Sequence, residues 1–215
     1  MILDIYTRVV GLKSFIVSGV RKSKSKMANV YHPMNIIGIV AFDNGGSLSR
    51  IKEGHFAYSY SDLNRNVIKS SLGMFMIDLA RHAIKEKEVN SELYNFLEDS
   101  LKSLDLGQLD TTLLPIQFAI KLATYLGFGI SNNYSEDEIY FDLYSGQFVN
   151  NDIRNQHILD VDTSHLLHLI LSDTDKIATT KSSRNDLLDH LINYYKLHVE
   201  SFRELKSLSV LRTIL

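Results

Sequence analysis

The apolar residues of this chain change period once, and that change limits its fold more than any other feature. Up to Tyr60 the spacing is that of strands; from Ser61 it is that of helices. A period of 2 places side chains on alternate faces of a sheet, while 3.6 places them along one stripe of a helix. Ile2-Leu3-Asp4-Ile5-Tyr6 reads as a short strand with a turn signal at Gly11. Leu12 to Val20 reads as a second strand that closes on Gly19, and Ile36 to Phe42 as a third. The third run ends in Asp43-Asn44-Gly45-Gly46, a hairpin signal. Ser47 to Tyr60 then alternates, which sets Phe56, Tyr58 and Tyr60 on one face. Four short strands with tight turns predict a small barrel or sandwich.

Beyond Ser61, Ile68, Leu72, Phe75 and Leu79 recur at helical spacing. Ser91 can cap a second helix, with a stripe of Leu93, Phe96, Leu97, Leu101 and Leu104. Thr111 or Thr112 can cap a third, with Pro115 in its first turn and Gly127 as its stop. Ile139 to Leu143 and Gln147 to Val149 can pair across Ser145-Gly146 as a hairpin. Helical spacing returns near Ser164 and runs through Leu187, Leu188, Leu191, Tyr195, Val199 and Phe202. The expectation is an α+β chain in two parts, a strand-rich 1–60 and a helical 61–215 with a small hairpin.

The charge divides at the same place. Residues 1–60 hold eight Lys/Arg against three Asp/Glu, whereas the whole chain has 23 against 25. A basic first part favours a polyanionic partner, although a short segment can acquire such an excess by chance. With no cysteine, disulfides and thiolate metal sites are excluded, and a reducing cytoplasm is the easiest setting. No apolar run reaches the roughly 20 residues needed to span a bilayer, so no membrane association is expected. Met1-Ile2-Leu3-Asp4 lacks the form of a signal peptide.

The sharpest motif is Gly19-Val20-Arg21-Lys22-Ser23-Lys24-Ser25-Lys26. Burying unpaired charges costs several kcal/mol each, so this segment must be exposed. Its cations can displace condensed counterions from phosphates, and its serines can donate to phosphate oxygens. Arg8 and Lys13 lie on the same strand-rich part and strengthen the reading. The plain alternative is a solvated surface loop. Tyr31, His32, Phe56, Tyr58 and Tyr60 could stack on unpaired bases, but alternating aromatics on a strand are more often core. His165 and His168 sit at i, i+3 without further ligands in a metal motif. Ser135-Glu136-Asp137-Glu138 lacks the central glycine of a calcium loop, and Gly127-Phe128-Gly129 lacks the Lys-Ser/Thr of a phosphate loop. No compact catalytic constellation, metal site or cofactor motif stands out, so a non-enzyme is expected.

Leu3-Asp4-Ile5-Tyr6-Thr7, Gly11-Leu12, Gly19 through Met27 and Pro33 resemble the amino-terminal domain of the RecO family of DNA repair proteins. Leu126-Gly127-Phe128-Gly129, Asn132-Asn133-Tyr134 and Leu205-Lys206-Ser207-Leu208 with Val210-Leu211 resemble its helical domain. The resemblance implies an oligonucleotide/oligosaccharide-binding (OB-fold) barrel over 1–60, followed by a helical domain over 61–215. It implies binding to single- and double-stranded DNA and annealing of complementary strands. With RecR, such proteins help load RecA onto DNA coated by single-stranded DNA-binding protein (SSB), whose C-terminal tail is a further partner. The family's basic loop falls on Arg21, Lys22, Lys24 and Lys26. The implied setting is the cytoplasm, at the nucleoid.

Two departures stand out. Many relatives carry a four-cysteine zinc module after the position of Gly127-Phe128-Gly129, whereas Ile130 to Val149 holds no cysteine, so a metal-free hairpin is expected there. Relatives usually begin one strand earlier, so an incomplete barrel with an exposed edge is expected. The rival readings are a protein-interaction scaffold whose basic loop is incidental and a hydrolase with a dispersed site. Salt-titrated DNA binding separates the scaffold from the DNA-binding reading. A pocket of converging titratable groups would favour the hydrolase.

Overall fold

The computed structural model describes residues 1–18, 27–42, 45–150, 157–174 and 177–214. Strands β1 (Ile2–Thr7), β2 (Gly11–Ile16), β3 (Ile37–Phe42) and β4 (Leu48–Phe56) form one sheet in the order β1-β2-β4-β3. The β1/β2 and β3/β4 pairs are antiparallel, and β2/β4 is parallel with Ser14 opposite Leu48. A parallel neighbour needs a crossover, and here the crossover contains the short helix α1 (Met27–Val30) and β3. Gly11 opens β2 at φ 65°, and a Cβ there would overlap the carbonyl oxygens of Lys87 and Glu88. Both the left-handed backbone and the close approach demand glycine.

One face of the sheet carries the core. Phe15, Val17, Val30, Tyr31 and Ile51 are buried together, with Leu3, Ile5, Ile37, Ile39 and Ala41 packed on them. Alternation then turns Ile2, Ile16 and Phe42 to the opposite face.

The α+β class expected from the sequence is what forms. Among the described residues the sheet is open, with β1 and β3 at its edges, as an incomplete barrel would leave it. Strand β2 stops at Ile16 rather than Val20, and β4 stops at Phe56 rather than Tyr60. The ladder ends because the Ala57 and Tyr58 amides both turn onto the Ile36 carbonyl, at 2.9 and 3.3 Å. Tyr60 therefore leaves the strand, donates its hydroxyl to the Met34 carbonyl at 2.6 Å and meets Tyr58 edge-on. The single aromatic face expected for Phe56, Tyr58 and Tyr60 does not form.

The helices are α2 (Val67–Ala83), α3 (Ser91–Leu106), α4 (Leu114–Tyr125), α5 (Val161–Leu171), α6 (Lys181–His198) and α7 (Ser207–Ile214). Asn90, not Ser91, caps α3 by accepting from the Leu93 amide. Neither Thr111 nor Thr112 caps α4, which starts after Leu113 with Pro115 in its first turn. The expected hairpin forms between β5 (Tyr140–Asp142) and β6 (Gln147–Val149), with Gly146 at φ 71° in the turn. Helix α6 ends at His198, so Phe202 lies beyond it.

Two compact units result. The first joins Met1–Ile77 with Ile84–Leu109, and the second joins Asp78–Ala83 with Asp110–Leu215. In the first, the buried Asp105 of α3 organises the turn after the sheet. Its carboxylate accepts from the amides of Ser61, Asp62 and Leu63 at 3.0, 2.8 and 2.7 Å, and from the Ser61 hydroxyl at 3.0 Å. Burial alone would raise its pKa, but these hydrogen bonds outweigh burial and hold it at about 2. Lys69 completes the knot on Asp62 and on the Asp105 carbonyl, each at 2.8 Å.

In the second unit Tyr195, fully buried, donates to the Ala119 carbonyl at 2.8 Å and ties α6 to α4. Tyr194 donates to the Phe128 carbonyl at 2.7 Å. The buried Ser164 hydroxyl of α5 accepts from the Phe141 amide at 2.9 Å and fixes the hairpin. Asp78 caps α7 by accepting from the Ser207 amide and hydroxyl, at 3.0 and 2.8 Å.

Candidate nucleic-acid interface

The six cations singled out in the sequence fall in three places. Arg21, Lys22, Lys24 and Lys26 lie outside the described residues. Arg8 sits just beyond β1 and reaches helix α3 of its own unit. Its guanidinium donates to Glu98 at 2.9 Å and Asn95 at 3.2 Å and stacks 4.9 Å above the Tyr94 ring. Tyr6 stacks on the same Tyr94, with ring centroids 6.5 Å apart. Arg8 is thus a staple between the β1–β2 turn and α3, and Glu98 shares its charge between Arg8 and Lys102. With 59% of its side chain exposed, Arg8 can still offer donors outward.

Lys13 stands opposite Ile5, and this pairing puts it on the face that carries Leu3 and Phe15, half-buried. The structure therefore does not bring Arg8 and Lys13 onto one strand face. Sequence reasoning passed over Arg50 instead. Arg50 is exposed on β4 opposite Ile16 and Phe42, and it donates to the Ser18 hydroxyl at 3.3 Å. Ser18 directly precedes the Gly19-to-Lys26 segment in the sequence. The signal available in the sequence was the unbroken run Ile36 to Phe42, which has too many apolar residues for a strand with only one dry face. Lys52 occupies the bulge between Ile51 and Glu53, exposed and paired with Glu53 at 3.6 Å.

The motif residues of the helical part are structural. The Asn133 side chain brackets Phe148 like an extra strand, accepting from its amide and donating to its carbonyl, both at 2.8 Å. His168 contacts Asn132 at 2.8 Å and stacks on Tyr134 at 4.3 Å. Burial and the neighbouring His165 hold the His168 pKa below the ordinary histidine value. Among the described residues no group of three or more His, Asp or Glu is placed to hold a metal ion. Nor is any described helix long and apolar enough to cross a membrane.

Comparison with known proteins covers the whole chain. Residues 1–60 match the family model described as Recombination protein O N terminal, and residues 64–209 match Recombination protein O C terminal. A protein of Christiangramia forsetii named DNA repair protein RecO is 33% identical over 220 residues, covering 100% of this chain and 91% of the relative. Proteins of the same name from Phocaeicola vulgatus and Azobacteroides pseudotrichonymphae are 30% and 26% identical, each covering 99% of this chain and 91% of the relative.

Proposed function

The chain belongs to the RecO family of DNA repair proteins, and from that membership we propose that it is a non-enzymatic mediator of recombinational repair. It binds single- and double-stranded DNA, anneals complementary strands and, with RecR and the SSB tail as partners, helps load RecA onto SSB-coated DNA at the nucleoid. The observation that carries this reading is the match of both family domains along one chain to relatives named for DNA repair. The physical support is a run of four cations, Arg21, Lys22, Lys24 and Lys26, that follows in sequence the Ser18 to which the exposed Arg50 donates. Neutralising phosphates on two strands at once lowers the repulsion that opposes annealing.

The sheet is proposed to be the larger part of an OB-fold barrel. Its parallel pair flanked by two antiparallel pairs leaves β1 and β3 as edges, and one further strand bridging them would make the five strands of that fold.

The test is a salt titration of DNA affinity together with annealing of complementary oligonucleotides. Replacing Arg21, Lys22, Lys24 and Lys26 by alanine should shrink the log–log salt slope by up to about 3–4 units and slow annealing, with little dependence on sequence. An unchanged slope would put the DNA elsewhere, on Lys121, Arg203 or Lys206. A wild-type chain that binds no DNA at all would leave the scaffold reading in its place.

A further inference from the structure

On helix α3 one carboxylate holds two cations, one on each oxygen. Glu98 Oε2 accepts from the Arg8 guanidinium at 2.9 Å, and Oε1 accepts from the Lys102 ammonium at 2.8 Å. Each cation stands over a tyrosine ring, Arg8 4.9 Å from the centre of Tyr94 and Lys102 5.4 Å from the centre of Tyr58. Tyr6 stacks on Tyr94 and Tyr60 meets Tyr58 edge-on, so the bed beneath the cations is itself packed. Tyr94, Glu98 and Lys102 follow at intervals of four, which lines them along one face of α3. The side chains of Glu98, Lys102 and Arg8 are 16%, 34% and 59% exposed. The carboxylate therefore lies deepest, and the two cations open to water.

A staple needs only one of these cations. Arg8 is already held by Asn95 and by the Tyr94 ring, and partly exposed ion pairs add little to stability. What the second cation adds is geometry, because two positive groups are fixed about one carboxylate's width apart. A backbone phosphate offers two anionic oxygens at nearly that spacing and accepts the same charge-assisted hydrogen bonds. Without Glu98, Arg8 and Lys102 would form a two-point phosphate site. With it, the trio carries one net positive charge instead of two, and each cation already has an anionic partner. The neighbouring Asp99 acts on Lys102 in the same direction as Glu98.

We infer that Glu98 is an internal phosphate mimic, which holds Arg8 and Lys102 back from nucleic acid and so limits the affinity of this chain for polyanions. The inference rests on the DNA-binding reading above and adds to it a residue that opposes binding. A backbone phosphate must compete with the Glu98 carboxylate for the same donors, so a bound strand leaves sooner. Such restraint suits a chain that pairs two strands and must then release the duplex.

Glu98→Gln keeps the size of the side chain and removes its charge. It should tighten binding of a short oligothymidylate and of a duplex roughly 3- to 10-fold at low salt. Dissociation should slow by a similar factor. The log–log salt slope should steepen by about one to two units as the freed cations reach phosphates. Arg8→Ala and Lys102→Ala in the wild type should leave the slope as it was, and adding both to Glu98→Gln should restore the wild-type slope. Glu98→Asp retains the charge and should bind as the wild type does, with amide exchange in α3 reporting that each variant is folded. A folded Glu98→Gln with wild-type affinity and slope would reduce the cluster to a staple and overturn the inference. A slope flattened by Arg8→Ala or Lys102→Ala alone would overturn it too, because those cations would already lie on phosphates. These two variants decide the matter even if Glu98→Gln loosens α3. A wild type that binds no DNA would remove the underlying reading, and this inference with it.

Discussion

The two units bury tyrosines in different ways. In the second, the Tyr194 and Tyr195 rings are fully buried and each hydroxyl reaches a carbonyl. In the first, Tyr31 is buried in the sheet's core, and its hydroxyl is the buried side-chain oxygen without a hydrogen-bond partner among the described residues. The contrast extends to the surface. The sheet leaves Ile2, Val40 and Phe42 in water along two open edges, whereas α6 buries Leu187, Leu188, Leu191 and Ile192. A four-stranded open sheet has one core face to bury and two edges to manage, but a helix satisfies its own backbone and needs only to pack one stripe. The sheet unit is therefore expected to be the less protected of the two.

The largest effect expected from a single substitution follows from Gly11. Gly11→Ala combines a left-handed backbone with a collision against the Lys87 and Glu88 carbonyls, for a loss of about 3 kcal/mol or more. Amide exchange should show β1 and β2 opening far more readily in this variant, with amides around Phe118 and Leu191 unchanged. Already in the wild type, residues 1–60 should open at lower free energy than those helices. Equal loss of protection in both places would mean that the units unfold as one, and the comparison would break.

Acid should discriminate next. Asp105 is held at about 2 in the folded chain against an ordinary 3.8. A depressed carboxylate stabilises the folded state above its unfolded pKa and loses that stabilisation as pH falls through its folded pKa. The contribution is about 2 kcal/mol at neutral pH, lost between roughly pH 4 and 2. The turn at Ser61 to Leu63 and the end of α3 should loosen in that window, and Asp105→Asn should remove most of the pH dependence there. Asp160, which caps α5 in the second unit, is also shifted down. Burial opposes that shift, and hydrogen bonds from Thr163 cause it. Its hydrogen bonds are exposed, so the effect in the second unit should be smaller.

The legible parts of this molecule are those written locally. The period change at Tyr60/Ser61, the Ser145-Gly146 turn and the apolar stripes depend on residues a few positions apart, and these have counterparts in the fold; Asp43 and Asn44 of the other turn signal lie outside the described residues. What could not be read depends on distant partners. The Asp105 knot joins residues more than 40 positions apart, and the Arg8 staple joins residues 90 apart. Neither leaves a spacing signature. The parallel β2/β4 pair is likewise a product of the crossover, so the sequence could not show that Ile16, Arg50 and Phe42 share a row. Lys13 illustrates the limit on the site. Its charge was plain, but the face it occupies was set by pairing with Ile5.

The smallest expected effect is the most direct test of the contrast between the units. Tyr195→Phe removes a donor from the Ala119 carbonyl inside a dry core, and a typical hydrogen bond there is worth about 1 kcal/mol. Tyr31→Phe removes a hydroxyl that has no partner among the described residues, so it deletes a desolvated polar atom and loses no bond. Tyr31→Phe should therefore be neutral or stabilising by up to about 1 kcal/mol, while Tyr195→Phe should destabilise by a similar amount. Denaturant midpoints read separately for each unit by amide exchange would give the two signs. Opposite signs would establish that the sheet core holds an unmet polar group that the helical core does not. A loss for Tyr31→Phe as large as that for Tyr195→Phe would show that the Tyr31 hydroxyl is satisfied in solution, and the two cores would then differ only in their exposed apolar surface.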